Sequence, residues 1–369
     1  MRYDLNGRRV LVLKLQGLGD TALQIPFLTG LIREYPRIKL DVAVSRNDSD
    51  ILLKLYPFKS IRTVFAVSPG IKGYLGFVLK MLLRRYYLII LPYKSGKKEN
   101  LLSFLSFCPR RAGFVYYRVW KEYYRPLLDF LVNRPLDPDV RRHLTELNTD
   151  LLSYLTGKKI QARLEKRPLR LNARAVEAFL RQQRIRPYMV FHLGAGDVNK
   201  LWPLESYVRL LRLVLDKYRN VKIVLVGKGY DKELNQAVKE KIGSERIIRY
   251  EQYDLNDLLV LLRKASLVMG NDSGVMHLAA LVRTKVLSLW GYTDPDHISP
   301  AGEGVYIIRK RISCSPCYKV TFSVPCTYEK KRCLYGISVG SVWPVLVNVM
   351  EGKKVKGKKL NTGATIVTV

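Results

Sequence analysis

Apolar runs of strand length alternate with helical stretches along most of the chain. Residues 8–15, RRVLVLKL, are largely apolar, the pattern of a strand buried on both faces of a parallel sheet. The loop Gln16-Gly17-Leu18-Gly19-Asp20 leads into a helical stretch from about residue 21 to residue 35. Leu23, Ile25, Phe27, Leu28, Leu31 and Ile32 lie mostly on one side of it, and Pro36 stops it. Residues 38–44, 61–67 and 87–91 read as further strands with helical patterns between them, and 141–155 as a helix. The pattern then restarts. Strands are expected at 188–193, 221–226, 246–249, 266–269 and 285–290. Helices are expected at 203–218, 231–241, 255–264 and 274–282, with Pro203 in the favoured first turn. Strands and helices alternating in this way are the signature of a doubly wound sheet.

The expected class is therefore α/β, with two Rossmann-like domains facing across a cleft. They should span residues 1–165 and 166–345, joined through the polar, weakly periodic stretch 156–170. A last helix is expected near 341–350, with Pro344 in its first turn, and a basic tail at 346–369 whose KKVKGKKL stays mobile. Ligands of open α/β sheets sit at the carboxyl ends of strands, which selects the loops at 16–20, 194–202, 227–230, 270–273 and 291–301.

Composition narrows the class. With 369 residues, 48% hydrophobic and 26% charged, the chain suits two ordinary globular domains. It has no run of 18 or more uncharged apolar residues, and the expectation is a cytoplasmic protein without a signal peptide. The formal charge of +33 implies attraction to something anionic, be it nucleic acid, a membrane face or a phosphorylated substrate, or else reflects a generally basic proteome. The densest basic and aromatic stretch, RRAGFVYYRVWKEYYR at 110–125, could grip a sugar phosphate, a lipid headgroup or a single strand, or be a solvated surface with aromatic stems beneath. No zinc finger, RRM signature or helix-turn-helix pattern supports nucleic acid.

Four stretches could carry chemistry. In MGNDSGVMHLAAL, residues 269–281, a strand ends and a helix begins at Asp272 and Ser273, both good capping types, with His277 about one turn inside. An open helix N-terminus attracts phosphate; the plainer reading is a capped helix with a core histidine. GAGDVNK, residues 194–200, sets Gly194 and Gly196 beside Lys200 before a helix, a reasonable diphosphate cradle, with Asp197 capping or turned away. Gly17 and Gly19 lack the third glycine of a dinucleotide fingerprint, so NAD is not expected. Asp20 is either the N-cap of its helix or a carboxylate placed to take a proton. In WGYTDPDHISP, residues 290–300, Thr293, Asp294 and His297 lie in a Gly- and Pro-containing turn. Cys314, Cys317, Cys326 and Cys333 are spaced for a structural zinc site, or are reduced thiols or disulfides.

Taken in order, LVLKLQGLGDTALQIPFLTGLIREYP, FHLGAGDVNKLWPLESY, MGNDSGVMHLAAL, WGYTDP and the cysteine tail resemble glycosyltransferase family 9, the ADP-heptose:lipopolysaccharide heptosyltransferases and relatives, over nearly the whole chain. The resemblance implies a GT-B fold and an inverting, metal-independent transfer of a sugar, heptose from ADP-heptose, to an anionic lipopolysaccharide-type or other glycan acceptor. It requires no cofactor beyond the nucleotide diphosphate sugar, and it implies peripheral contact at the inner membrane face and no nucleic-acid partner. Asp20 matches the family's general base and Lys200 the lysine holding the donor diphosphate. Asp272, Ser273, Gly274 and His277 match the motif at the donor phosphates and sugar. Gly19, Arg110 and Arg111 fall to the acceptor side, Arg111 and Gly113 resembling a family R-x-G-F element. The loop 227–230 has no plain match to the acid some relatives use on the donor ribose, although Asp231 and Glu233 are near. The rival readings are another GT-B sugar-nucleotide enzyme and a non-catalytic basic membrane- or nucleic-acid-binding protein.

Overall fold

The computed structural model of the protein describes residues 3–46, 48–93, 95–114, 134–136, 142–160, 169–319, 322–323, 326, 328 and 331–369. The chain divides into two compact units, Met1–Arg170 and Leu171–Val369. The division falls at the end of the polar stretch 156–170, after residue 170 where the sequence pattern suggested 165.

The first unit runs β1 (Arg9–Leu13), α1 (Leu18–Glu34), β2 (Lys39–Ser45), α2 (Ser49–Leu55), β3 (Ile61–Val67), α3 (Ile71–Arg84), β4 (Leu88–Leu91), α4 (Lys97–Leu105), β5 (Arg111–Phe114), β6 (Arg134–Leu136) and α5 (Leu144–Thr156). Its strands lie in the order β3-β2-β1-β4-β5-β6, every pair parallel. Val10, Leu11, Val12 and Leu13 are wholly buried, which is why this strand reads as an unbroken apolar run. Helix α1 packs on α5 so closely that a Cβ on Gly30 would come 2.7 Å from Leu152 Cδ2. A polar knot ties β2 to the end of α3 and the residues that precede β4. Asp41, buried in β2, accepts hydrogen bonds from Arg84 Nη1 and the Tyr86 hydroxyl, each at 2.8 Å. Replacing Arg84 by methionine strands that carboxylate beside a single hydroxyl and should cost about 3 kcal/mol. Urea unfolding checks this, and an unchanged midpoint would show the pair to be solvated.

The second unit runs α6 (Arg174–Gln182), β7 (Tyr188–His192), α7 (Leu204–Lys217), β8 (Lys222–Val226), α8 (Asp231–Ile242), β9 (Ile247–Tyr250), α9 (Leu255–Lys264), β10 (Leu267–Asn271), α10 (Gly274–Leu281), β11 (Val286–Trp290), α11 (Pro295–Ile298), β12 (Val305–Arg309), β13 (Tyr318–Lys319), β14 (Phe322–Ser323), α12 (Arg332–Tyr335), α13 (Val339–Met350), β15 (Lys358–Lys359) and β16 (Thr365–Thr368). The main sheet has the order β15-β16-β12-β11-β10-β7-β8-β9, parallel except for the antiparallel β15–β16 pair. Strands β13 and β14 form a separate two-stranded sheet. The core between the main sheet and its helices includes Met189, Phe191, Leu211, Leu225, Met269, Leu287 and Leu346.

Three expectations change. The basic tail is not a mobile appendage. Residues 346–350 close α13, and β15 and β16 extend the sheet, with Ile366 and Val367 buried against β12. The lysines of KKVKGKKL occupy exposed positions along and before the two-residue edge strand β15, which charge protects from further pairing. Pro344 lies in the second turn of α13 rather than the first, because Ser338, accepting from Ser341 N, starts that helix earlier. Helix α1 begins at Leu18 after Gly17, so Asp20 is the third helical residue and not the cap. Among the described residues, no helix is long and apolar enough to cross a membrane.

Candidate active site

In the second unit the strand order reverses between β7 and β10, the switch point where open α/β sheets bind ligands. Gly270 pairs with His192 in register, so the residues that follow these strands open at the same edge. A Cβ on Gly270 would meet the His192 carbonyl at 2.4 Å, so only glycine permits this approach.

Asn271, the last residue of β10, organises the loop after β7. Its Nδ2 donates to the Leu193 carbonyl at 2.7 Å, and its Oδ1 accepts from Trp202 N and the Tyr207 hydroxyl, both at 3.0 Å. It thereby pins both ends of the loop that carries Lys200. Burial pushes the Tyr207 hydroxyl well above the ordinary tyrosine range, so it remains a donor. Trp202 Nε1 donates to the Ile337 carbonyl at 2.9 Å, anchoring the residue two places after Lys200. Between these anchors Asp197 accepts from Asn199 N at 2.8 Å and starts a short 3-10 turn, Val198–Lys200. The turn delivers Lys200 Nζ to within 2.7 Å of Asp272 Oδ2. Thr293, from the loop after β11, donates to the same oxygen. Lys200, Asp272 and Thr293, drawn from three separate loops, thus meet at one point.

Ser273 holds the N-cap position of α10, yet its hydroxyl caps nothing. Its Oγ lies 3.0 Å from His192 Nδ1, while His192 Nε2 lies 3.1 Å from Asp231 Oδ2. The expected capping by Asp272 and Ser273 is corrected here: both side chains are drawn sideways, to Lys200 with Thr293 and to His192. The first-turn amides of α10 are left without a side-chain cap, the arrangement in which a helix start receives an anion. His277 is buried about one turn inside, as expected of its spacing. Asp231 fills the space beneath the loop. A Cβ on Gly194 would sit 1.7 Å from Asp231 Oδ1, and one on Gly227, at φ +156°, 2.3 Å from Asp231 Cβ. Gly196, by contrast, faces open space. Lys228 Nζ lies 4.9 Å over the Tyr253 ring, which stacks on Tyr250.

In the first unit the reversal falls between β1 and β4. Lys14, just past β1 and 1% exposed, donates to the Tyr93 carbonyl. Buried Glu99 accepts from Leu15 N and Gly96 N, each at 2.9 Å, joining the loops that follow β1 and β4. Asp20 sits half-buried in the first turn of α1, its Oδ2 3.8 Å from where a Cβ on Gly17 would be. The carboxylate therefore folds back toward the helix entrance. Gly19 precedes it in the same turn. Arg110 lies 4.3 Å over Tyr87, and Arg111 donates to the Cys108 carbonyl with its guanidinium 5.6 Å from the Phe104 ring. A Cβ on Gly113 would meet Leu91 Cβ at 2.7 Å, a packing reason for glycine there. The basic and aromatic stretch beyond residue 114 lies outside the described residues.

Among the described residues no three His, Cys, Asp or Glu side chains are gathered as metal ligands. Cys333 is buried, 2.7 Å from where a Cβ on Gly291 would stand, Cys314 is exposed, and Cys317 Sγ turns to the Cys314 carbonyl. All five cysteines are free thiols. Burial pushes Cys317 and Cys333 above the ordinary thiol range, and neighbouring Cys314 acts on both in the same direction.

The model of glycosyltransferase family 9 (heptosyltransferase) matches residues 101–328. The lipooligosaccharide heptosyltransferase 2 of Haemophilus influenzae is 25% identical over 327 residues, 81% of this chain and 88% of that one. Among solved structures, the family 9 glycosyl transferase of Veillonella parvula superposes with a TM-score of 0.76 at 16% identity, over 95% of this chain and 99% of that one. The E. coli heptosyltransferase WaaC with ADP-2-deoxy-2-fluoro heptose does so with a TM-score of 0.66 at 18% identity, over 92% and 99%. The pair of doubly wound sheets is the GT-B fold of these structures. With the family model spanning more than half of the sequence, the chain belongs to glycosyltransferase family 9 and is a glycosyltransferase.

Proposed function

We propose that the protein moves heptose from ADP-heptose to an anionic lipopolysaccharide-type acceptor, with inversion and without a catalytic metal. The observation that carries this reading is the meeting of Lys200 with the uncapped start of α10, held by Asp272, Thr293 and the His192–Ser273 contact. A cation beside free helix amides suits the diphosphate of a sugar nucleotide and the charge that grows on it as the glycosidic bond breaks. Support for adenine and heptose comes from relatives, including WaaC with its ADP-sugar analogue.

The chemistry assigns one role to each unit. The acceptor hydroxyl oxygen attacks the anomeric carbon from the face opposite the diphosphate. The bond from that carbon to the phosphate oxygen breaks, and ADP leaves with the electron pair. The hydroxyl proton passes to the Asp20 carboxylate. Lys200, Ser273 and the amides of Gly274 and Val275 receive the departing diphosphate. Gly194 is required beneath it because Asp231 leaves no room for a side chain. His192 is a positioning residue, which fixes the Ser273 hydroxyl through its Nδ1 while Asp231 holds its other nitrogen. Gly19, Arg110 and Arg111 are assigned to the acceptor side. An acceptor of this kind is anchored in a membrane, and the enzyme works at the cytoplasmic face of that membrane.

Calorimetric titration with ADP, GDP, UDP and CDP, without added metal, tests the donor assignment. ADP should bind at least about tenfold tighter than the other three, a difference of about 1.4 kcal/mol. Preference for another nucleotide would replace the donor, and binding of none would remove the phosphate site.

A further inference from the structure

The first unit carries an apolar surface that its own fold does not use. Helix α3 sends Phe77, Val78 and Met81 into the core. On the outer side, at four-residue spacing, stand Ile71, Leu75, Leu79 and Leu83, between 54% and 85% exposed. A helix that meets only water should be polar there. Helix α4 is in contact with α3 and repeats the pattern: Glu99, Leu102 and Ser103 are buried, while Leu101, Phe104 and Leu105 face out. Just beyond it Phe107 is 78% exposed and held at φ +52°, an unfavourable backbone for a bulky residue. Most of the large exposed apolar side chains among the described residues fall in this one stretch, 71–107.

Charge identifies the occupant. From residue 51 to residue 98 the chain has ten Lys and Arg and no Asp or Glu. Lys72, Lys80, Arg85, Lys97 and Lys98 are all exposed beside the apolar positions. The next acid, Glu99, is buried and committed to the Leu15 and Gly96 amides. A second copy of the chain would bring this basic surface against itself, since a two-fold dimer apposes identical patches. An anionic bilayer satisfies both components, taking leucine and phenylalanine into the acyl boundary and lysine and arginine among the headgroups.

We infer that the outer faces of α3 and α4, with Phe107, form the surface by which this enzyme lies on an anionic membrane. The occupant rests on the proposed membrane-borne acceptor; the exposed face does not. The test uses the full chain with vesicles of phosphatidylcholine alone and of equal parts phosphatidylcholine and phosphatidylglycerol. The parent should sediment with the anionic vesicles. The variant Ile71→Ser, Leu75→Ser, Leu79→Ser, Leu83→Ser keeps every charge and should bind them at least about tenfold more weakly, since four large side chains no longer leave water. A Phe107→Trp substitution should add blue-shifted, quencher-protected emission when anionic vesicles are present. ADP titration of the same variants should match the parent, so a failed membrane surface and a failed donor site give different results. Equal vesicle binding by parent and serine variant would overturn the inference, because net charge alone would then hold the protein. So would no vesicle binding by the parent, or a parent dimer that the serine variant dissolves in light scattering.

Discussion

Asp20→Asn should lower the turnover number for sugar transfer by about a thousandfold while the affinity for ADP stays within about twofold. The amide matches the carboxylate in size but cannot take the acceptor proton, so the acceptor must attack as an unassisted hydroxyl. Asp20 lies in the first turn of α1, in the unit that holds none of the residues proposed for the donor phosphates, which is why ADP should not register the change. Its carboxylate has no hydrogen bond or ion pair among the described residues, so little folding energy rests on it. Steady-state kinetics with ADP-heptose and a lipopolysaccharide-type acceptor, beside calorimetry with ADP, checks both halves. Retention of more than about a tenth of the turnover would assign the proton elsewhere.

Lys200→Ala should act on both binding and rate, weakening ADP by about a hundredfold and lowering kcat/KM by at least as much. Two effects combine. The cation is lost from the diphosphate, and Asp272, its partner at 2.7 Å and only 6% exposed, is left as an unbalanced anion beside the phosphate position. Adding Asp272→Asn removes the second effect, and the double variant should recover about tenfold in ADP affinity relative to Lys200→Ala. A double variant no better than the single would mean that Asp272 does not face the bound diphosphate.

The parallel sheets were legible because buried parallel strands are written as largely apolar runs without alternation, and residues 8–15, 188–193 and 221–226 are such runs. Strand β16 was missed for the opposite reason. It is short, mixed in polarity and follows a run of lysines, and its place in the sheet comes from its partner β12. The loops that hold Lys200, Asp272 and Ser273 were readable from Gly, polar and capping residues at strand ends. What those side chains do there was not. Capping is a local expectation, and it lost to partners distant in sequence: Asp272 to Lys200 and Thr293, Ser273 to His192. Lys14 and His192 were missed because each read as part of a strand, Asn271 because its loop was read through Asp272 and Ser273, and Glu99 because it fell outside every expected element, while their bonds span dozens of residues. The one local signal was polarity at the strand ends, at Lys14, His192 and Asn271, where a side chain leaves the core for the binding edge.

The pairing of β16 with β12 also sets an order on synthesis. The first unit has all of its strands, and α5 to cover α1, once residue 170 is made, and it can fold while the second unit is being translated. The second unit cannot close until residues 365–368 leave the ribosome. Until then β12, with Ile307 and Ile308 destined for the core, is an unpaired apolar edge on a nearly finished sheet. The nascent protein is therefore most open to wrong partners in the interval between the making of β12 and that of β16, and a chaperone would be most useful there.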